Sequence, residues 1–181
     1  MTFILSKDTK AAILIIDLQK CNYYEKFNRT VDNVKKLIEW GRKKGLKIIY
    51  ALDSRYPEDS IFKRLKMKKH CIKGTEDIEI LEPIKPTRND IVVEKRMLSA
   101  FFATDLDFTL RETNIRQLII AGVAAEACVL KTALDAFELG YDVLIPIECI
   151  NSLSEKRFNA ALTIFKFLKF KIINLRDLLK I

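Results

Sequence analysis

The feature that most constrains this chain is an alternation of short, apolar, β-branched runs with stretches of helical periodicity. The runs "AAILIIDLQ" (11–19), "LKIIYALD" (46–53), "DIVVEK" (90–95), "RQLIIAGV" (116–123), "YDVLIPIE" (141–148) and "KIINL" (171–175) predict six strands. Between them, 30–45 reads as an amphipathic helix ending at glycine. Residues 104–114 form a helix with Thr104 as N-cap, and 154–170 a helix capped by Ser154. In 122–140 a strand hands over to a helix. There Val129, Ala133, Ala136 and Phe137 recur at helical spacing, and Gly140 takes the C-cap place. A basic, proline-containing connection with a short helical turn joins the second strand to the third. Strands separated by helices need crossovers, so the sheet is predicted to be mainly parallel and covered on both faces. The expected fold is a three-layer α/β/α sandwich with a six-stranded, mainly parallel sheet, in one domain spanning 1–181.

Bulk properties narrow the partners. The 181 residues are 49% hydrophobic and 31% charged, a globular composition. The opening "MTFILSKDTK" has too short an apolar stretch for a signal peptide. No apolar run approaches the roughly 20 residues of a membrane helix. A soluble, cytoplasmic protein with no membrane partner is expected. The four cysteines, Cys21, Cys71, Cys128 and Cys149, are scattered without a CxxC pair, so no disulfide framework is expected. A single histidine, His70, gives no structural zinc site. The net charge of +8 would suit an anionic partner, but the basic residues are spread along the chain. Their densest run, "FKRLKMKKH" (62–70), has one embedded Phe and no nucleic-acid motif. It reads as a solvated loop, and the expected partner is a small-molecule substrate.

Open α/β sheets bind ligands at the carboxyl ends of their strands. Asp17, Asp53 and Lys95 end the first three predicted strands, and Cys128 lies just past the fourth. Nucleotide cofactors lack their motifs: with five glycines in all, no strand is followed by GxGxxG or a P-loop. A cysteine-phosphatase loop would need arginine where Leu134 stands. What remains is a thiol with a carboxylate and an amine. A helix N-terminus and an ammonium both stabilise a thiolate, and a carboxylate can accept its proton and pass it to a leaving amine. Backbone N–H groups in "GVAAEAC" could face a developing oxyanion. Each residue taken singly has a plainer reading: Cys128 a buried filler, Asp17 a cap, Lys95 a solvent-facing strand end.

The segments "IIDLQ", "HCIKGTEDIEI", "VVEKRMLSAFFATDLD" and "IIAGVAAEACVLKTALDAFELGYDV" together resemble the isochorismatase-like cysteine hydrolases, a superfamily that includes nicotinamidases and N-carbamoylsarcosine amidohydrolase. The resemblance implies a catalytic triad of Asp17, Lys95 and Cys128. It also implies a cis peptide between Val123 and Ala124 that turns the Ala124 and Cys128 N–H groups toward the oxyanion. Members with this cysteine cleave C–N bonds of amides or carbamoyl groups through a thioester, and they form dimers or tetramers. Nicotinamidases also hold a metal such as zinc on an Asp-x-His pair and on the His of the "HC" motif. Here Asp53 and His70 match two of those ligands, but Arg55 replaces the middle one. A charged guanidinium cannot ligate a metal. The expectation is therefore a pocket that needs no cofactor, with Arg55 reading a substrate carboxylate; its plainer reading is a surface pair with Glu58 or Asp59. Asn22 and Met67 stand where nicotinamidases carry aromatic residues. Tyr23 and Phe101 are the remaining candidates for substrate contact. The expected activity is hydrolysis of a small amide or carbamoyl compound. Nicotinamidase and a non-catalytic binding subunit are the alternatives.

Overall fold

A computed structural model describes residues 10–181. The signal-peptide reading of the first nine residues lies outside that range. Six strands form one sheet: β1 (Lys10–Ile16), β2 (Lys47–Asp53), β3 (Ile91–Lys95), β4 (Ile115–Gly122), β5 (Asp142–Pro146) and β6 (Lys171–Ile173). Their order is β3-β2-β1-β4-β5-β6, and every neighbouring pair is parallel. The helices are α1 (Asn28–Lys43), α2 (Ser60–Arg64), α3 (Leu106–Glu112), α4 (Leu130–Glu138), α5 (Glu155–Phe167) and α6 (Leu175–Leu178).

Side chains of a strand alternate between faces, and the central strands use both. Leu14, Ile16, Ile49, Ala51, Leu118 and Ile120 are buried in one cluster with Leu106, Leu110, Ala133, Ala136 and Phe165 of α3, α4 and α5. Ile13, Ile15, Ile48, Tyr50 and Ile119 are buried in the other with Val34, Leu37 and Ile38 of α1 and Leu178 of α6. This double burial explains why the strands read as continuous apolar runs rather than alternating ones. The predicted three layers are present. None of the described helices is long and apolar enough to cross a membrane.

Local signals held with two adjustments. Ser154 caps α5 by accepting a hydrogen bond from the Arg157 N–H at 3.3 Å. Helix α3 begins two residues later than expected, with Asp105 in the cap position and no side-chain cap bond from it. Thr104 still serves the helix, accepting from the Leu106 N–H at 3.3 Å. Phe137, grouped by helical spacing with Ala133 and Ala136, is half exposed, and the buried residues of α4 are Thr132, Ala133 and Ala136.

The cysteine reading is corrected. Cys21 and Cys71 form a disulfide across 50 positions of sequence, with their Cα atoms 5.3 Å apart. Cysteine spacing could not report it, because the long β2–β3 connection doubles back over the turn that follows β1. There the Lys20 N–H donates to the Glu79 carbonyl, and Gln19 bridges Ile80 in antiparallel fashion.

Candidate active site

The strand order runs outward from β1 to β3 and then restarts at β4 on the other side of β1, so a crevice opens beyond the carboxyl ends of β1 and its neighbours. Sheet register fixes what lies there. Asp53 and Lys95 are direct partners at the ends of β2 and β3. Asp17, one residue past β1, adopts φ +54° and its N–H donates to the Ala51 carbonyl. Its carboxylate turns back to accept the Asp53 N–H at 3.1 Å. The Lys95 ammonium is buried among four acceptors: Asp53 Oδ1 at 2.6 Å, Asp17 Oδ2 at 2.9 Å, the Met97 carbonyl at 3.2 Å and Cys128 Sγ at 3.6 Å. Two carboxylates, a thiol and the ammonium, from four parts of the chain, therefore meet around one nitrogen.

Burial governs the electrostatics. It raises the Asp17 carboxyl to about 6, and the neighbouring Asp53 charge adds to the rise while Lys95 opposes it. Burial also pushes the Cys128 thiol well above its ordinary value, the Asp17 charge adding and Lys95 opposing. For Lys95, burial alone would favour the neutral amine. The charges of Asp17, Cys128 and Asp53 outweigh it, so the ammonium is held charged. Near pH 7 the resting arrangement is a neutral thiol beside an ionised Asp17, with a lysine cation touching both.

Cys128 sits in a π-helical turn, Ala125–Val129, that leads directly into α4. The turn is held by its surroundings. Gly122 has φ +125°, and a Cβ there would come within 2.0 Å of the Ile16 carbonyl oxygen, so only glycine fits beside β1. The Val123 N–H donates to that same carbonyl at 3.0 Å. The Val123–Ala124 peptide is cis, as the resemblance implied. The Ala125 N–H donates to the Asn151 carbonyl, and the Asn151 N–H to the Gly122 carbonyl. The Ala124 N–H has no hydrogen-bond partner among the described residues.

The crevice is a cavity of about 250 Å³. Its floor is Asp17, Asp53, Cys128 and Ala124, and its walls are mostly apolar: Tyr24, Phe27, Leu65, Met67, Leu98 and Leu153, with Asn22 and His70 at the rim. Three sequence expectations change here. Tyr23 points away: it is 38% exposed, lines a separate groove and donates to Asn28 Oδ1. Residues 23 and 24 are both extended, so their side chains alternate and Tyr24 takes the inward place. Phe101 lies outside the cavity, stacked on Tyr141 at 5.7 Å, and Leu98 replaces it in the wall. The basic 62–70 run is not simply a solvated loop: its lysines are exposed, while Leu65, Met67 and His70 line the cavity. Sequence reasoning missed Phe27, Leu65 and Leu153, whose loops carry no periodicity.

Arg55 is no surface residue. It is 2% exposed and lines the cavity, and its Nη2 donates to Asp53 Oδ2 at 2.6 Å. Of the two surface partners anticipated for it, Glu58 and Asp59, the second is paired with Arg96 instead. Formal charges at the floor cancel, Asp17 and Asp53 against Lys95 and Arg55. The carboxylate expected of a substrate would therefore meet a guanidinium already matched by Asp53.

The metal ligands can be tested on the donor set. Ligand atoms of Asp53, His70 and Cys71 lie within 4.8 Å of one another. The Cys71 sulfur is in the disulfide. Asp53 faces Lys95 through one oxygen and Arg55 through the other. His70 Nε2 faces Arg55 Nη1 at 3.0 Å, and its Nδ1 faces the Lys68 carbonyl at 2.8 Å. The second acidic group, Asp17, Asp53 and Cys128, surrounds the Lys95 ammonium. Neither donor set, as arranged, fits a divalent ion.

The Isochorismatase domain profile matches residues 11–173. This chain belongs to the isochorismatase family. It is 27% identical over 166 residues to a ureidoacrylate amidohydrolase from Rhizobium rhizogenes, covering 75% of this chain and 68% of that one. Its fold is similar to that of N-carbamoylsarcosine amidase from Thermoplasma acidophilum, with TM-score 0.83 and 25% identity over 92% of this chain and 97% of the other. A nicotinamidase from Bacillus subtilis gives TM-score 0.83 and 28% identity, covering 92% of this chain and all of that one. These two solved structures share the six-stranded parallel α/β fold seen here.

Proposed function

We propose that this family member is an amidohydrolase that cleaves the C–N bond of a small amide or carbamoyl compound, with Cys128, Asp17 and Lys95 as its catalytic residues. One observation carries the reading: a buried ammonium in contact with both a thiol and a carboxylate, on the floor of a cavity sized for a small molecule. The three relatives described above, each named for acting on an amide or a ureido group, support it.

The chemistry follows from the resting charges. Asp17 takes the Cys128 proton as the sulfur attacks the substrate carbonyl, so no free thiolate has to persist in the buried site. Lys95 stabilises the negative charge at sulfur while it exists. The carbonyl oxygen, becoming an oxyanion, turns toward the free Ala124 N–H and the Cys128 N–H; one such donor is typically worth about 3 kcal/mol in the transition state. Asp17 then gives its proton to the departing nitrogen. Water hydrolyses the thioester with Asp17 again accepting a proton, and the thiol is restored.

A cancelled charge and apolar walls favour a neutral amide over a carboxylate-bearing one, which revises the role first expected of Arg55. Nicotinamide belongs to the neutral class and is the leading named candidate. The family resemblance implies an oligomeric enzyme, and the sequence pattern leads us to expect a cytoplasmic one. The test is ammonia release from nicotinamide, pyrazinamide, aliphatic amides and carbamoyl amino acids, with Cys128→Ser alongside. Turnover of neutral amides that vanishes in the variant is the expected result. Silence across the panel, with Cys128 inert to iodoacetamide, would leave the non-catalytic reading standing.

A further inference from the structure

Between Asp53 and His70 the cavity wall holds a cation of its own. The Arg55 guanidinium donates to Asp53 Oδ2 at 2.6 Å through Nη2 and meets His70 Nε2 at 3.0 Å through Nη1. Because a guanidinium can only donate, that imidazole nitrogen accepts, and the ring proton sits on Nδ1, facing the Lys68 carbonyl. The backbone around Arg55 is clamped as well. Its N–H donates to the Cys71 carbonyl and its carbonyl accepts the Lys73 N–H, both at 2.9 Å, and the Cys21–Cys71 disulfide ties this segment to the turn after β1. The Phe62 ring closes the outer side, 5.9 Å from Cζ. Arg55 Nε is buried without a hydrogen-bond partner. A side chain fixed at so many points, with one donor left unpaired, is shaped by something other than its own hydrogen bonding.

We propose that Arg55 is a positioning residue that stands permanently in a divalent-cation site. It occupies the space between Asp53 and His70, excludes a metal from it, and holds the Asp53 carboxylate so that Oδ1 stays on Lys95. Through Asp53 it fixes where the Lys95 ammonium stands relative to Asp17 and Cys128. A planar, always-charged fork suits this task, because it engages carboxylate and imidazole together and cannot lose its charge. The second half of the proposal rests on the hydrolase reading; the exclusion of metal does not, so the two can fail separately.

The first arm measures zinc retained per chain after incubation with zinc chloride and gel filtration, by elemental analysis. Wild type is expected to retain none. Arg55→His, which completes an Asp-x-His pair facing His70, is expected to retain one zinc, and to lose it when His70→Ala is added. One zinc on wild type that disappears in His70→Ala would overturn the proposal, and this measurement does not depend on any variant of Arg55 folding. The second arm measures turnover of Arg55→Ala on whichever amide the wild type cleaves. A fall of 10-fold or more in kcat is expected, with KM changed less, and recovery of activity on adding millimolar guanidinium chloride, well below denaturing levels. A folded Arg55→Ala enzyme with wild-type kcat, or one that guanidinium does not restore, would sink the positioning role.

Discussion

The two sides of the cavity are built by different means. Asp17, Asp53 and Lys95 hang from the ends of three adjacent parallel strands, where register alone makes Asp53 and Lys95 neighbours. The facing wall, from Arg55 to Cys71, is irregular chain held by one isolated bridge, one disulfide and a short helix. The first side is as rigid as the sheet; the second is only as rigid as its few ties. Chemistry should therefore depend on the strand ends and on Arg55, which reaches Asp53 from the wall, and substrate fit on the rest of the wall.

The comparison is sharpest at Cys128. Cys128→Ser should lower kcat by at least about 10³-fold, as loss of a nucleophile does, while the melting temperature stays within a few degrees. A large fall in stability would instead make this cysteine a packing residue. Lys95→Met comes next. It leaves two carboxylates buried without their cation, and stripping one partner from such a cluster costs about 3–5 kcal/mol. Denaturant unfolding should show that loss together with loss of turnover.

On the proposed mechanism Asp17 sets the pH dependence. Its acceptor form is the ionised one, and its carboxyl is raised to about 6. Activity should thus fall as pH drops through 6, about tenfold per unit below it, rather than near the 3.9 of an ordinary aspartate. For stability the sign is opposite. A carboxyl raised in the folded state binds protons more tightly there, so its contribution is fully present below about pH 4 and is lost as pH rises through 6. A pH–rate profile flat down to pH 5 would remove Asp17 as the base.

The wall should respond more mildly in turnover. Cys21→Ser opens a loop of 50 residues, which loop-closure entropy values at about 4 kcal/mol of stability at most. KM should rise several-fold, with kcat changed less. An unchanged KM would show that this brace does not shape the cavity. Smallest of all, Tyr23→Phe should leave KM unaltered while Tyr24→Ala raises it, because only Tyr24 faces the cavity.

The same division governs what was legible in the sequence. The six strands and their helices could be read because burial on both faces writes long apolar runs, and the strand-end positions of Asp17, Asp53 and Lys95 followed from them. Cys128 at a strand–helix junction followed as well. Tyr23, Phe101 and the cysteine pairing were misread, since each depends on how irregular chain turns in space. Arg55 was identified as the exceptional residue, but its partners were not.

By itself the sequence determined the layered parallel fold and the set of reactive groups at one sheet edge, because strand periodicity and strand ends are local properties. Only the tertiary structure decided that three of those groups share the ammonium of the fourth, that Arg55 is matched by Asp53 and His70, and that Cys21 meets Cys71. Those contacts join segments tens of residues apart, and their geometry comes from sheet register and loop paths that no local pattern encodes.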